Sequence, residues 1–116
     1  KEVKEIFGRM GTVMEVDEDM MAAGTALASC GIAYALQYID AAIRGGTSIG
    51  FTEEEARRIV ISTMKGAVSL LEKNGTMPRQ EIDKVTTPGG YTFRGLSAME
   101  EYGFSEAVLQ GLRHSL

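Results

Sequence analysis

The chain has 116 residues, of which 44% are apolar and 24% charged. This length is typical of one domain, too short to hold a dinucleotide-binding domain together with a separate substrate domain. Twelve basic against sixteen acidic residues leave a net charge of −4 without a basic stripe, which argues against a nucleic-acid partner. The single cysteine cannot form an internal disulfide, and no signal-peptide pattern opens the chain, so we expect a reducing, cytoplasmic location.

The N-terminal residues are predicted to form a short helix followed by a strand. Residues 1–10 have an amphipathic pattern that begins without an N-cap, as the cut end of a longer protein would, and residues 12–16 alternate β-branched side chains. An isolated strand leaves its backbone groups without hydrogen-bond partners. We therefore expect this strand to pair with another chain or to belong to a sheet outside this sequence.

A run without charges, residues 20–39, follows Asp17, which suits a helix N-cap. Twenty uncharged residues meet the length criterion for a membrane span. The run also contains several polar residues and lacks a basic anchor at its start. The favoured interpretation is one helix, or two with a break at residues 29–31, buried on nearly every side. Such a helix in a small domain predicts that a second copy of the chain packs against it, with no membrane partner.

The next helix has clear start and stop signals. Gly45-Gly46 is expected to end the uncharged helix, and Thr52 with Glu55 forms a capping box at the start of the following one. Apolar residues at helical spacing then continue to Asn74-Gly75, which is expected to close the helix.

Three shorter helices are predicted in the last third of the chain, at residues 78–85, 92–102 and 106–114. Pro78 suits a first helical turn, and Ser105 suits an N-cap. The predicted class is therefore all-α, with one short N-terminal strand.

Conventional catalytic groups are scarce in this sequence. It contains no G-x-G-x-x-G, C-x-x-C or H-E-x-x-H pattern, and no metal site is predicted. His114 lies two residues from the end of the chain and is expected to be solvated. Cys30 has no base nearby and is expected to be a small thiol at a helix contact rather than a nucleophile.

Residues 83–92, DKVTTPGGYT, differ from the rest of the chain. Gly89 and Gly90 allow a sharp turn and a close approach to a ligand. The helix that follows directs free N–H groups and the positive end of its dipole toward the turn, and Thr87 and Thr92 add hydroxyls. Such a turn binds a carboxylate or phosphate. An ordinary helix–helix turn is the alternative that the residues alone leave open.

This segment resembles the substrate loop of the pyrroline-5-carboxylate reductase family, D-x-V-[ST]-S-P-G-G-x-T. The matching positions are Asp83, Val85, Thr86, Pro88, Gly89, Gly90 and Thr92. Other family motifs are similar to VMEVD at residues 13–17, TALASCGIAY at 25–34, GFT at 50–52 and LSAMEEYGF at 96–104. The resemblance extends from residue 6 to about residue 112.

The resemblance implies a Rossmann domain that binds NADPH (or NADH), followed by a helical dimerisation domain of the pyrroline-5-carboxylate reductase / 6-phosphogluconate dehydrogenase C-terminal-like type. Residues 1–16 are then expected to be the remnant of the end of that missing domain, and residues 17–116 the helical domain that binds substrate and forms a homodimer, or a higher oligomer. The full-length protein would reduce Δ1-pyrroline-5-carboxylate to L-proline. This chain alone would bind no cofactor and would be inactive.

The resemblance also implies roles for individual residues. The Thr25 hydroxyl would hydrogen-bond the ring nitrogen of the substrate. The expected carboxylate-binding residues are those of the loop, namely Thr87, Pro88, Gly89, Gly90, Tyr91 and Thr92. Holding the carboxylate there would orient the imine carbon toward the hydride, which is catalysis by positioning.

Several positions depart from the family pattern, namely Ala28, Ser29, Cys30, Ile32, Thr87 and Tyr91. The absence of the family's proline at Ile32 should let the long helix run with less of a kink. A phenol ring at Tyr91 would cover or narrow the carboxylate pocket. These departures keep two alternatives open: a divergent paralogue acting as a non-catalytic dimeric binding or assembly module, and a helical dimer with no ligand site.

Overall fold

The computed structural model describes residues 3–7 and 13–116, and the side chains of residues 17–116. Strand β1 (Val3–Phe7) pairs antiparallel with strand β2 (Val13–Asp17), and Val3 lies opposite Asp17. The helix predicted over residues 1–10 is therefore wrong for residues 3–7, because pairing with β2 satisfies the backbone groups of both strands. The remainder of that predicted helix, and residue 12 of the predicted strand, lie outside the described residues.

The partner expected for the predicted strand is also corrected by this pairing. The described part of the predicted strand belongs to β2. The neighbour of β2 is β1 of the same chain, and not a strand from another chain or a sheet outside the sequence. The described part of the chain thus has two short strands, where the sequence predicts one. Helices make up most of the rest, and the all-α class is confirmed.

The uncharged run forms one continuous helical stretch with a local change of winding. A 3₁₀ turn (Glu18–Met20) leads into α1 (Met21–Thr25), a π-helical turn (Ala26–Cys30) and α2 (Gly31–Ser48). The backbone N–H of Gly31 bonds to the carbonyl of Ala26, five residues earlier, instead of four. The predicted break at residues 29–31 therefore takes the form of a π-helical turn.

The stretch Glu18–Ser48 is long and apolar enough to cross a membrane by length and composition alone, with a mean hydropathy of 1.3 in its most apolar window. A helix that is covered by protein meets the same criterion.

Helix α2 continues through Gly45-Gly46, where the sequence predicts its end. A Cβ atom added to Gly46 would come within 2.9 Å of the Ala56 Cβ, so this glycine permits a close contact between α2 and the next helix. The backbone leaves the helix only at Gly50, whose φ is +123°. The N–H of Phe51 then bonds back to the Gly46 carbonyl at 3.1 Å.

Helix α3 (Glu53–Asn74) confirms the predicted capping box and stop signal. The Thr52 hydroxyl accepts a hydrogen bond from the Glu55 N–H at 3.1 Å, and the Glu55 carboxylate accepts one from the Thr52 N–H at 2.9 Å. At the other end, Gly75 adopts the left-handed conformation, with φ +61°, and its N–H bonds to the carbonyl of Leu71.

The last three helices are α4 (Pro78–Val85), α5 (Tyr91–Glu101) and α6 (Phe104–Arg113). The predicted bounds of α4 are confirmed. Gly103 separates α5 from α6 with a φ of +84°. Ser105 lies inside the first turn of α6 instead of capping it, because the left-handed glycine lets the helix start at Phe104.

The chain forms two compact units. The first unit comprises Lys1–Tyr38 and Ser105–Leu116, and the second comprises Ile39–Phe104. In the first unit, the Tyr34 hydroxyl contacts the Ser115 hydroxyl.

Among the described residues, the buried apolar side chains are Ala26 at 4% and Ala56 at 2% exposure. Large apolar side chains are exposed on all of the longer helices, including Leu36, Ile59, Val68, Val85, Phe93 and Val108. The chain therefore leaves apolar helix faces uncovered.

Candidate functional site

The candidate site is a tight turn, Thr87–Gly90, between α4 and α5. The Gly90 N–H donates to the Thr87 carbonyl at 3.0 Å. Pro88 occupies the second position of the turn, and Gly89 occupies the third with a φ of +77°. This arrangement fits a type II turn, which requires a left-handed residue at its third position.

Gly90 is constrained by a close approach rather than by its φ. A Cβ atom at this position would lie 2.6 Å from the Thr87 hydroxyl oxygen and 3.2 Å from the Thr87 carbonyl oxygen. The turn therefore needs glycine at both of its last two positions. The sharp turn predicted from the sequence is present.

The turn leads directly into the N-terminus of α5. Gly90 is the N-cap residue and provides no side-chain cap, and the first turn contains no acidic residue. The Arg94 N–H bonds to the Gly90 carbonyl at 3.0 Å. The N–H groups of Tyr91, Thr92 and Phe93 precede it and have no intrahelical acceptor. Together with the helix dipole, they can bind an anion.

Arg94 contacts the turn in a way that the sequence reasoning missed. Its Nε donates to the Gly89 carbonyl at 3.3 Å, and its guanidinium carbon lies 5.4 Å from the centre of the Tyr91 ring. The Tyr91 side chain is 88% exposed. The sequence does contain one indication of this contact. Arg94 lies in the first turn of a helix, where the helix dipole disfavours a positive charge, so a special role for it could have been suspected.

The carboxylate of Glu81 links the end of α3 to α4, ahead of the turn. The Glu81 carboxylate accepts hydrogen bonds from the Thr76 hydroxyl at 2.6 Å, the Asn74 amide at 3.1 Å and the Lys84 ammonium at 3.0 Å. These donors, Thr76 foremost, lower the pKa of Glu81 from 4.5 to about 2. The network fixes α4, whose C-terminal end leads into the turn.

The remaining predicted site residue, Thr25, lies in the other unit of the chain. It is the last residue of α1, directly before the π-helical turn, and its side chain is exposed. Within the described part of the chain, its hydroxyl makes no hydrogen bond. The structure therefore places residues 87–92 together, in the turn and the first residues of α5, and places Thr25 in a separate unit.

The other candidate residues do not form a reactive cluster among the described residues. Cys30 is half-buried on the π-helical turn, and His114 uses Nδ1 to contact the Gln110 carbonyl at 2.9 Å. No group of three or more His, Cys, Asp or Glu side chains is gathered for a metal in the described ranges. An open depression of about 420 Å³ lies along α3, apart from the turn, and is lined by Phe51, Glu55, Arg58, Ile59, Ser62 and Thr63.

The fold and the turn define a class of protein: a helical domain with uncovered apolar faces and a backbone site suited to an anionic ligand. Residues 18–116 match the family model described as pyrroline-5-carboxylate reductase dimerisation. The chain belongs to this family.

Relatives from distant organisms agree with this assignment. The chain is 47% identical over 109 residues to pyrroline-5-carboxylate reductase 1 of Dictyostelium discoideum, covering 94% of this chain and 20% of that protein. It is 38% identical over 108 residues to pyrroline-5-carboxylate reductase of Aquifex aeolicus (strain VF5), covering 93% and 41%. The chain thus spans less than half the length of these relatives.

A solved structure shows the same fold. The crystal structure of Plasmodium falciparum pyrroline carboxylate reductase with NADP bound superposes with a TM-score of 0.82 at 30% identity. The match covers 86% of this chain and 40% of that one.

Proposed function

We propose that this chain is the dimerisation and substrate-carboxylate domain of an NADPH-dependent reductase that converts Δ1-pyrroline-5-carboxylate to L-proline in the cytoplasm. The observation that carries the proposal is the Thr87–Gly90 turn at the N-terminus of α5, in a chain of this family. Residues 1–16 are proposed to end a preceding nucleotide-binding domain, and residues 17–116 to form the helical domain. The family match begins at residue 18, next to this boundary.

The turn would bind the substrate through its carboxylate. The backbone N–H groups near Gly90, Tyr91 and Thr92 would donate to the two carboxylate oxygens, and the positive end of the α5 dipole would stabilise the charge. The Thr25 hydroxyl is proposed to hydrogen-bond the ring nitrogen. Fixing these atoms orients the C=N carbon, so the contribution of this domain is positioning rather than proton or hydride chemistry of its own.

The cofactor is proposed to be NADPH, or NADH, which would supply the hydride to the C=N carbon of the substrate. The described residues do not fit a dinucleotide, because their two strands are antiparallel and the sequence has no G-x-G-x-x-G pattern. The cofactor would therefore be held by residues outside this chain. We expect the chain by itself to reduce nothing.

The partner of the exposed apolar faces is proposed to be a second copy of the chain. The family is defined by dimerisation, and residues 20–39 form an uncharged helical stretch with exposed side chains such as Leu27 and Leu36. A homodimer would remove these side chains from water. The second copy would cover the apolar helix, so neither a membrane nor a nucleic acid is proposed as its partner.

The direct test uses the complete gene product. Purified with NADPH and Δ1-pyrroline-5-carboxylate, it should oxidise the cofactor and form L-proline, as followed by absorbance and by product analysis. No cofactor oxidation would refute the reductase. In parallel, L-proline should raise the melting temperature of the chain alone, because a ligand that binds only the folded state stabilises it.

The alternative is a divergent paralogue that keeps the fold as a non-catalytic dimeric binding or assembly module. It is favoured by the departures from the family pattern at Cys30, Ile32 and Tyr91, two of which flank Gly31 at the end of the π-helical turn. The triple variant Cys30→Ser, Ile32→Pro, Tyr91→Thr of the full-length protein distinguishes the two. Activity that stays at background supports the module, and a large gain of activity contradicts it.

A further inference from the structure

We infer that Arg94 is a positioning residue that holds the Thr87–Gly90 turn in its ligand-binding conformation and favours anionic ligands there. This inference rests on the proposed function, because it concerns the same turn. Its first support is the contact between the Arg94 Nε and the Gly89 carbonyl, at 3.3 Å. Its second support is the guanidinium over the Tyr91 ring, at 5.4 Å from the ring centre.

The peptide unit between Gly89 and Gly90 is held on both sides. Its N–H donates to the Thr87 carbonyl, and its C=O accepts from the Arg94 Nε. This peptide unit precedes the first free N–H groups of α5, so its orientation sets the direction of those groups. Without the Arg94 contact, only the bond from the Gly90 N–H to the Thr87 carbonyl would hold this peptide unit, and glycine restricts the backbone least.

The charge of Arg94 is not explained by the stability of α5 itself. A cation near the N-terminus of a helix is disfavoured by the helix dipole. The first turn of α5 has no acidic residue, and within the described part of the chain no carboxylate pairs with Arg94. An anionic ligand at the turn would supply the missing counter-charge.

The geometry leaves Arg94 able to meet such a ligand. One of its N–H donors is used by the Gly89 carbonyl, and the remaining donors on its two terminal nitrogens are available. The Tyr91 ring restricts the orientation of the guanidinium plane. Tyr91 therefore acts as a platform for Arg94, and its exposed ring is part of the same arrangement.

The test compares three variants of the full-length protein, namely Arg94→Met, Arg94→Lys and the control Arg79→Met. Arg94→Met removes the charge and the Nε donor but keeps a long side chain. Arg79 lies in the first turn of α4, at the end of that helix remote from the turn. The measurements are KM and kcat for Δ1-pyrroline-5-carboxylate, and the inhibition constants of L-proline and L-prolinamide. The amide lacks the carboxylate charge, so the pair isolates recognition of the anion.

We expect Arg94→Met to raise KM and the L-proline inhibition constant about tenfold, the loss typical of one charge-assisted hydrogen bond. L-Prolinamide binding should weaken less than L-proline binding, since the amide shares the backbone contacts of the turn but lacks the carboxylate charge, and kcat should change little. Arg94→Lys should recover only part of the loss, because lysine keeps the charge but not the planar fork of donors. Arg79→Met should behave as the wild type.

Two results would overturn the inference while leaving the proposed function intact. One is an active Arg94→Met protein with an unchanged preference for L-proline over L-prolinamide. The other is an equal loss of affinity for both ligands, as expected from general damage to the fold. If Arg94→Met does not fold, Arg94→Gln, which also removes the charge, decides in the same way. A wild-type protein without reductase activity overturns the proposed function and this inference together.

Discussion

Gly89 and Gly90 are required in the turn for different physical reasons. Gly89 has a φ of +77°, which an L-amino acid with a side chain rarely adopts. Gly90 has an ordinary φ but no room for a Cβ beside Thr87. A substitution at Gly89 therefore tests backbone strain, and one at Gly90 tests packing within the turn.

We predict that Gly89→Ala lowers the free energy of unfolding by about 1–2 kcal/mol, the cost of placing a side chain in the left-handed region. The same variant should bind L-proline more weakly, because the turn relaxes. Urea denaturation and calorimetry measure the two effects. The matched control is Gly95→Ala, inside α5, where an added Cβ meets nothing within 4 Å. It should gain roughly 0.5–1 kcal/mol, and a gain at Gly89 as well would contradict the argument.

Glu81 should make the stability of the chain depend on pH in the acid range. Its pKa is lowered to about 2 in the folded state by Thr76, Asn74 and Lys84, against an ordinary value of 4.5. The folded state therefore favours the ionised carboxylate. The stabilisation is complete above pH 4.5 and is lost progressively as the pH falls from there to about 2.

We predict that Glu81→Gln lowers the melting temperature at pH 7 and flattens the dependence of the melting temperature on pH between about 4.5 and 2. Thermal unfolding followed by circular dichroism, at one fixed protein concentration, measures both effects. Glu72→Gln, at an exposed position of α3, is the control and should leave the slope as in the wild type. If the melting temperature depended on pH with the same slope in the wild type, Glu81→Gln and Glu72→Gln, the role of Glu81 would be contradicted.

At the scale of the elements, the capping box of α3 is a local device with a measurable effect. The Thr52 hydroxyl satisfies the Glu55 N–H, which otherwise has no partner in the first turn. We predict that Thr52→Ala lowers the free energy of unfolding by about 1 kcal/mol in urea denaturation. Ser69→Ala, at an exposed position within α3, should have no destabilising effect. A similar loss at both sites would argue against a specific cap.

The elements that could be predicted from the sequence are those whose ends are decided locally. Helix α3 begins at a capping box and ends at a left-handed glycine, and α4 begins at a proline, all readable within a few residues. The end of α2 could not be read in this way. Gly46 looks like a stop signal, but it serves a contact with Ala56 of another helix. β1 was missed because its partner strand decides its conformation.

The candidate site also combines a feature that is decided locally, and could be predicted, with one that depends on a contact and could not. The Thr87–Gly90 turn could be predicted, because proline at the second position and glycine at the third are the residues that a type II turn favours. The contact of Arg94 with Gly89 could not, since it depends on the path that the helix takes after the turn. A motif thus indicates the backbone of a site better than the side chains that support it.

At the scale of the whole molecule, the described residues leave large apolar side chains exposed on the longer helices, whereas the buried apolar ones are small, Ala26 and Ala56. Exposed apolar surface of this kind is typical of an interaction surface. It agrees with the proposed dimer.

We predict that the chain sediments as a dimer at micromolar concentration, and that Leu36→Asp weakens association by at least tenfold. Leu36 lies on α2 and is 58% exposed in the single chain. Burying it in an interface contributes about 1.5–3 kcal/mol, and a carboxylate there would lose this contribution and add a desolvation cost. Leu36→Met conserves the volume and should remain dimeric. Sedimentation velocity over a dilution series separates these outcomes, and a monomeric wild type would refute the dimer.

The scarcity of buried side chains among the described residues of one copy has a consequence for the abundance of the protein in the cell. If folding and pairing are a single event, each tenfold fall in concentration removes about 1.4 kcal/mol of stability per dimer. The fraction of folded chains then depends on the level of expression as well as on the sequence. A promoter mutation that changes no residue of this protein would act on it as a destabilising substitution does.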